Sequence, residues 1–133
     1  MAIIRAYTDL SQSKTLSKIL PLESADMWYQ YTGISIKDGS EKPIYFPMAI
    51  RDDESDKDIP CWSLAALISI LPRFIEFKDD KYYLRFMKDY VEYANDEVSI
   101  TGRCLHTTGN NNLVDASYEM ILKLHEHKML NKC

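Results

Sequence analysis

The stretch Pro60–Phe74, PCWSLAALISILPRF, decides how this chain folds. Between Cys61 and Leu71 every residue is apolar except Ser63 and Ser69. Leu64, Leu67, Ile68 and Leu71 fall along one stripe at helical spacing, and Trp62, Ala65, Ala66 and Ile70 fill most of the remaining circumference. A helix apolar on nearly every side has to be wrapped by its own protein. The run therefore predicts a central buried helix, opened by Asp58-Ile59-Pro60, with Cys61 in its first turn, and ended by Pro72.

The segments on either side supply the wrapping. Asp9 and Gln12 have capping-box spacing and open a helix through Leu20, with Leu16, Ile19 and Leu20 inward and Pro21 as the stop. Trp28–Ile36 reads as a strand with Trp28, Gln30, Thr32, Ile34 and Ile36 on one face and Tyr29, Tyr31, Gly33 and Ser35 on the other. Asp38-Gly39 is a strong hairpin-turn signal, and Pro43–Ile50 returns as the partner, confined to an edge by Pro43 and Pro47. Arg73–Phe77 and Lys81–Lys88 predict a second hairpin turning at Asp79-Asp80, continued as a meander by Tyr90–Tyr93 and Val98–Leu105. Gly109–Asn112 is a loop capping a last helix from Leu113 to about Lys128, with Leu113, Ala116, Met120, Ile121 and Leu124 inward. Ala2–Ala6 is a short apolar strand or strap. The order helix, hairpin, helix, meander, helix predicts an α+β fold, with antiparallel hairpin and meander strands packed around the central helix and helices near both ends.

The totals bound the class. A chain of 133 residues with 46% hydrophobic content predicts one domain over 1–133, able to bury a core without metal or disulfide. Its longest apolar run falls well short of the roughly 18–20 residues a membrane span needs, and MAIIRAYTDL has no signal-peptide core. No membrane association is expected. Cys61, Cys104 and Cys133 are odd in number and widely spaced, which fits free thiols in a reducing compartment and a cytoplasmic location. The net charge of −4 argues against nucleic-acid binding, which normally needs a basic surface. Nine tyrosines and two tryptophans provide area for a core or for a protein interface.

Several stretches together carry a resemblance: Thr8-Asp9-Leu10, the box Leu20–Met27 (LPLESADM), Cys61–Leu67 (CWSLAAL), and Asn112–Ala116 (NLVDA) with Glu119-Met120. In these the chain resembles a family of small proteins, without assigned activity, encoded by phages and prophage-like elements of gut Bacteroidales. The resemblance implies an accessory phage protein acting inside a bacterial cell, in a class that often acts on host machinery or defence. It carries over no catalytic residue.

Candidate chemistry is sparse. Cys61, at a helix start, could have a lowered pKa, and a Cys-His hydrolase would pair it with His106, His125 or His127; the alternative is an inert core thiol. Cys104 and His106 share one side of a predicted strand, but no further ligand stands nearby at zinc-site spacing, so no metal is expected. The acidic run Asp52, Asp53, Glu54, Asp56, Asp58 alternates like a calcium loop. It carries Lys57 where glycine belongs and Ser63 where a bidentate glutamate belongs, and so reads as a solvated loop open to interaction. The stretch from Arg103 through Thr107, Thr108, Gly109, Asn110 and Asn111 to Asn112 offers amides, hydroxyls and one cation at a helix start, suited to an anionic ligand such as a nucleotide or equally to structural capping.

No complete catalytic constellation is present in these motifs. The reading is a non-enzymatic protein without cofactor, acting by binding a protein partner and by self-association. Trp28, Tyr29 and Tyr31 are the expected contact residues, and the edge beside Pro43 the expected pairing edge. The alternatives are a nucleotide-sequestering protein using the Arg103–Asn111 loop and a hydrolase using Cys61.

Overall fold

The computed structural model describes residues 6–51, 54–87, 90–95, 104–109 and 112–130. The expected strand at Ala2–Ala6 lies almost wholly outside them. The fold is α+β, with helices α1 (Leu10–Ser17), α2 (Leu64–Ile70) and α3 (Leu113–Glu126). The strands are β1 (Met27–Lys37), β2 (Ser40–Met48), β3 (Ile59–Cys61), β4 (Phe74–Phe77), β5 (Asp80–Phe86), β6 (Tyr90–Ala94) and β7 (Cys104–Gly109). Every strand pairing is antiparallel, in one sheet of order β2-β1-β3 and another of order β4-β5-β6-β7. The chain divides into two compact units, Tyr7–Ala66 and the residues from Leu67 onward with Ala6, and the division falls inside α2.

In the first unit, local chemistry sets the ends of the elements. Asp9 caps α1 by accepting from the Gln12 N–H at 2.7 Å, while Gln12 accepts from the Asp9 N–H at 3.0 Å, the expected capping box. Asp38 and Gly39 both have positive φ, 52° and 77°, as a two-residue hairpin turn of the twist-compatible type requires. β3 is not legible in the sequence. Its three residues pair with Met27, Trp28 and Tyr29, and Pro60 is tolerated because β3 is an edge strand. Cys61 is thereby strand, not helix. The helix begins three residues later, where the Ser63 hydroxyl accepts from the Ala66 N–H at 3.2 Å. Asp26 holds that cap in place, accepting from both the N–H and the hydroxyl of Ser63.

The second unit is a meander with α3 laid on β6 and β7. Lys78 and Asp79, both at positive φ, form the β4–β5 turn, one residue earlier than expected. Asn112 caps α3 by accepting from the Val114 N–H at 2.7 Å. Ala116, Met120, Ile121 and Leu124 are buried on α3 as expected, but Val114 is enclosed where Leu113 was expected and Leu113 is only half-buried; Val91, Tyr93 and Ala94 of β6 are buried as well. The Tyr93 hydroxyl, also enclosed, donates to the Pro72 carbonyl at 2.6 Å, tying β6 to the chain just after α2. β7 is described over Cys104–Gly109; of the expected strand Val98–Leu105, residues 98–103 lie outside the described residues.

The apolar run at the centre is buried on one side only. Trp62, Ala66, Leu67 and Leu71 are enclosed, whereas Ala65 and Ser69 are exposed and Ile68 keeps 39% of its surface. An i, i+4 pair, Leu67 and Leu71, is the anchored edge of this segment. Replacing Leu67 by Ala should cost about 2–5 kcal/mol, the range for emptying a buried leucine site. Ile68→Ala should cost under about 1 kcal/mol, because much of its surface already meets water. Denaturant unfolding of the two variants checks the asymmetry.

Candidate interaction surface

One extra residue determines which side chains share a face of the β1–β2 hairpin. Tyr31 pairs with Tyr45 and Gly33 with Ile44, so Thr32 is a bulge, and its hydroxyl donates to the Ile44 carbonyl at 3.1 Å. Gly33 takes φ 145°, which a side chain would strain. Because side chains alternate with period two, an inserted residue moves everything after it to the opposite face. Ile34 and Ile36, expected beside Trp28, therefore join Tyr29, Tyr31, Tyr45 and Pro43. The other face holds Trp28, Gln30, Gly33, Ser35, Met48, Phe46, Ile44 and Lys42.

The half of the hairpin nearest the core is pinned. Tyr29 is buried, and its hydroxyl donates to the Thr8 carbonyl at 2.8 Å. Trp28 is half-covered by the Arg51 guanidinium, 3.7 Å over its ring. Arg51 also donates to Asp58 at 2.9 Å. The Asp58 side chain is fully enclosed and accepts from the N–H groups of Tyr31, at 2.9 Å, and Ser55, at 3.1 Å. Burial alone would push the Asp58 carboxyl up, but these two backbone donors and the Arg51 cation outweigh it and hold the group below its ordinary value. Asp58 is thus a structural anion rather than part of a solvated acidic loop. Asp52 and Asp53, of the same run, lie outside the described residues.

The far half of the hairpin is uncovered on both faces. Ile34 keeps 54% of its surface, Ile36 75% and Phe46 55%, with Ile44 also exposed. Tyr31 and Tyr45 meet edge to face, ring centres 5.8 Å apart, and the Lys57 ammonium sits 4.8 Å over Tyr31. Of the three expected contact residues, Tyr29 is therefore consumed by the interior and Trp28 and Tyr31 stand at the margin of the open area. The residues beyond them, Ile34, Ile36, Ile44 and Phe46, make that area. Placing the isoleucines with the tyrosines required knowing of the bulge, for which Gly33 was the only sequence signal.

Cys61 is enclosed in a polar clasp. Its thiol donates to the Thr8 carbonyl at 3.6 Å and lies 3.7 Å from the Thr8 hydroxyl. That hydroxyl in turn meets the Ser13 hydroxyl at 2.8 Å and accepts from the Trp62 N–H at 3.2 Å. Burial pushes the thiol above its ordinary value, against smaller opposing contributions from Thr8 and Ser13. The thiolate-stabilising helix start expected for Cys61 is absent because Cys61 belongs to β3. The group closes α1, β3 and the Thr8 strap together.

The expected anion loop is only partly described. Arg103, Asn110 and Asn111 lie outside the described residues, whereas Thr107, Thr108 and Gly109 are strand positions in β7, paired with Glu92, Val91 and Tyr90. Cys104 and His106 also lie on β7. Among the described residues no three His, Cys, Asp or Glu side chains converge as a metal site would, and no helix is long and apolar enough to cross a membrane. Comparison with protein-family models, curated proteins and solved structures finds no match.

Asp58→Ala should destabilise the chain by about 2–4 kcal/mol, because it strands Arg51 and two backbone donors. Since folding depresses the Asp58 pKa, the stabilisation it gives is present above the ordinary value of 3.8 and fades as pH falls through the lower folded value. Unfolding free energies measured from pH 6 down to pH 2 should converge for wild type and Asp58→Asn at the acid end. Iodoacetamide at neutral pH should leave Cys61 unmodified in the folded chain and label it once denatured; peptide mass mapping of rapid native labelling would refute the closed clasp.

Proposed function

We propose that this chain is a binding protein, working through the side chains at the open end of its β1–β2 hairpin on a protein partner with a complementary apolar surface. The observation that carries the reading is the pairing of Ile34 and Ile36 on one face with Ile44 and Phe46 on the other, all exposed on one rigidly based hairpin. Scattered surface leucines or isoleucines need no explanation, but large apolar side chains grouped on a strand pair do. The anchoring by Asp58, Arg51 and Tyr29 supports the same conclusion, since a preorganised surface loses less entropy on binding. The mixed charges at the turn, Lys37, Asp38, Glu41 and Lys42, supply a polar rim around the apolar centre.

The setting is the bacterial cytoplasm, and the role that of a non-enzymatic accessory protein of a phage or mobile element acting on a host component. The resemblance noted above and the free-thiol pattern support this setting. A photo-crosslinking residue in place of Phe46 should yield a discrete adduct in the bacterial host, and the same residue in place of exposed Lys18 should not. Adding Ile44→Ser to the Phe46 probe should weaken the adduct about tenfold, in line with the loss of one half-exposed hydrophobic contact. Equal capture at both positions, or none at Phe46, would refute this reading.

A further inference from the structure

We infer that the outer edge of β1, from Thr32 to Asp38, pairs antiparallel with the same edge of a second copy of this chain. The inference rests on the reading of the hairpin as a binding element and identifies one partner and one register.

The direction of each backbone group follows from the hairpin itself. Lys37 and Ser40 flank a two-residue turn and are a hydrogen-bonded pair. Alternation then makes Ser35–Lys42 and Gly33–Ile44 hydrogen-bonded pairs as well. Ile34 and Ile36 therefore turn their N–H and C=O groups away from β2. The Tyr31 N–H, directed to Asp58 on that same outer side, agrees with this assignment. β3 covers the outer edge only at Met27, Trp28 and Tyr29, and the Asp58 carboxylate takes the next donor. From Thr32 onward no strand pairs with this edge among the described residues.

The opposite edge of the hairpin is built differently. On β2 the outward positions are Glu41, Pro43, Tyr45 and Pro47, so two of the four carry no N–H to offer. Proline is a common device for blunting an edge against pairing. The edge beside Pro43, which the sequence suggested as the pairing edge, is the protected one, and the β1 edge is the open one.

Symmetry and length then select the register. In a two-fold antiparallel pair, outward-facing residues must meet outward-facing residues, which restricts the choice to Ile34 or Ile36 of one copy against Ile34 or Ile36 of the other. Ile34 opposite the second copy's Ile34 would drive Tyr31 and its Asp58 plug against Lys37. Ile36 opposite Ile36 leaves a shorter overlap. Ile34 opposite Ile36 uses the whole open window, with Ser35 on the two-fold axis and each Ile34–Ile36 pair exchanging both backbone bonds. It also gathers the four isoleucines on one face. Charge agrees: Asp38 comes beside the second copy's Thr32, next to the Tyr31 ring over which Lys57 sits. An edge this short buries less than the roughly 1,200 Å² of a standard interface, so the dimer is weak and dependent on concentration.

Sedimentation velocity over a wide concentration range should show a monomer–dimer equilibrium. Ile36→Pro removes one outward donor per copy and should weaken it roughly thirtyfold, two lost hydrogen bonds at their usual net worth. Because that variant also alters the strand backbone, amide exchange on the unmodified chain provides a second reading. Exchange at Ile34 and Ile36 should slow as concentration rises, while the outward Tyr45 amide on β2 stays constant. A single monomeric species with exchange independent of concentration overturns self-pairing. Protection of Ile34 and Ile36 only in the presence of a different protein also overturns it, assigning the edge to a foreign strand. The side-chain capture at Phe46 is read separately, on side chains rather than the strand edge, so failure of that reading is distinguishable from failure of this one.

Discussion

Backbone groups along a strand need partners on both sides, and β1 is eleven residues long with a full neighbour on only one of them. β2 runs beside it from Trp28 to Lys37, but β3 is three residues long and accompanies only the beginning. That inequality organises the first unit. Where β3 lies, Tyr29 reaches the Thr8 carbonyl and Cys61 closes against Thr8 and Ser13. Where β3 ends, one buried carboxylate, Asp58, substitutes for the missing strand by taking the Tyr31 N–H. Beyond it no described strand pairs with this edge, and Ile34 and Ile36 are exposed.

In the first unit the buried polar residues Thr8, Ser13 and Asp58 are accounted for by this geometry. Thr8, Ser13, Cys61 and the Tyr29 hydroxyl satisfy one another and hold the N-terminal strap, α1 and β3 as a closed set. Asp58 stays ionised in an enclosed site because it accepts from two backbone amides and a guanidinium, a combination strong enough to offset its loss of hydration. Arg51 does double duty, pairing with Asp58 and covering the Trp28 ring. Losing any member leaves another buried and unsatisfied, so the base of the hairpin is pinned while the side chains at its far end stay exposed.

The two edges of the hairpin show opposite treatments of the same hazard. β2 carries prolines at outward positions, and β1 carries isoleucines there. An unprotected apolar edge invites uncontrolled pairing unless its length and register limit what can dock. Here the Asp58 plug at one end and the Lys37-Asp38 turn at the other bound the open stretch. The bulge at Thr32 then places the isoleucines on the tyrosine face rather than on the tryptophan face.

Much of the fold was legible because its causes are local. The Asp9–Gln12 box, the Asp38-Gly39 turn, the Asn112 cap and the apolar face of α3 each depend on residues a few positions apart, and each appears as the sequence implied. What the sequence left undetermined depends on distant pairing. Asp58-Ile59-Pro60 reads equally well as a helix start, and only the presence of Met27–Tyr29 alongside makes Ile59–Cys61 a strand. The same contact moves Cys61 from an activating helix terminus into a closed interior. The apolar run after it was recognisable as core, but which of its sides would be sealed depends on what packs against it, and Ile68 is left outside. The reversal of faces at Thr32 likewise comes from the alignment of two strands, since one unpaired residue changes side-chain parity without changing composition or periodicity enough to be read. Local order came from the chain's own neighbouring residues, whereas the candidate contact surface was decided by register, a property of two segments held together.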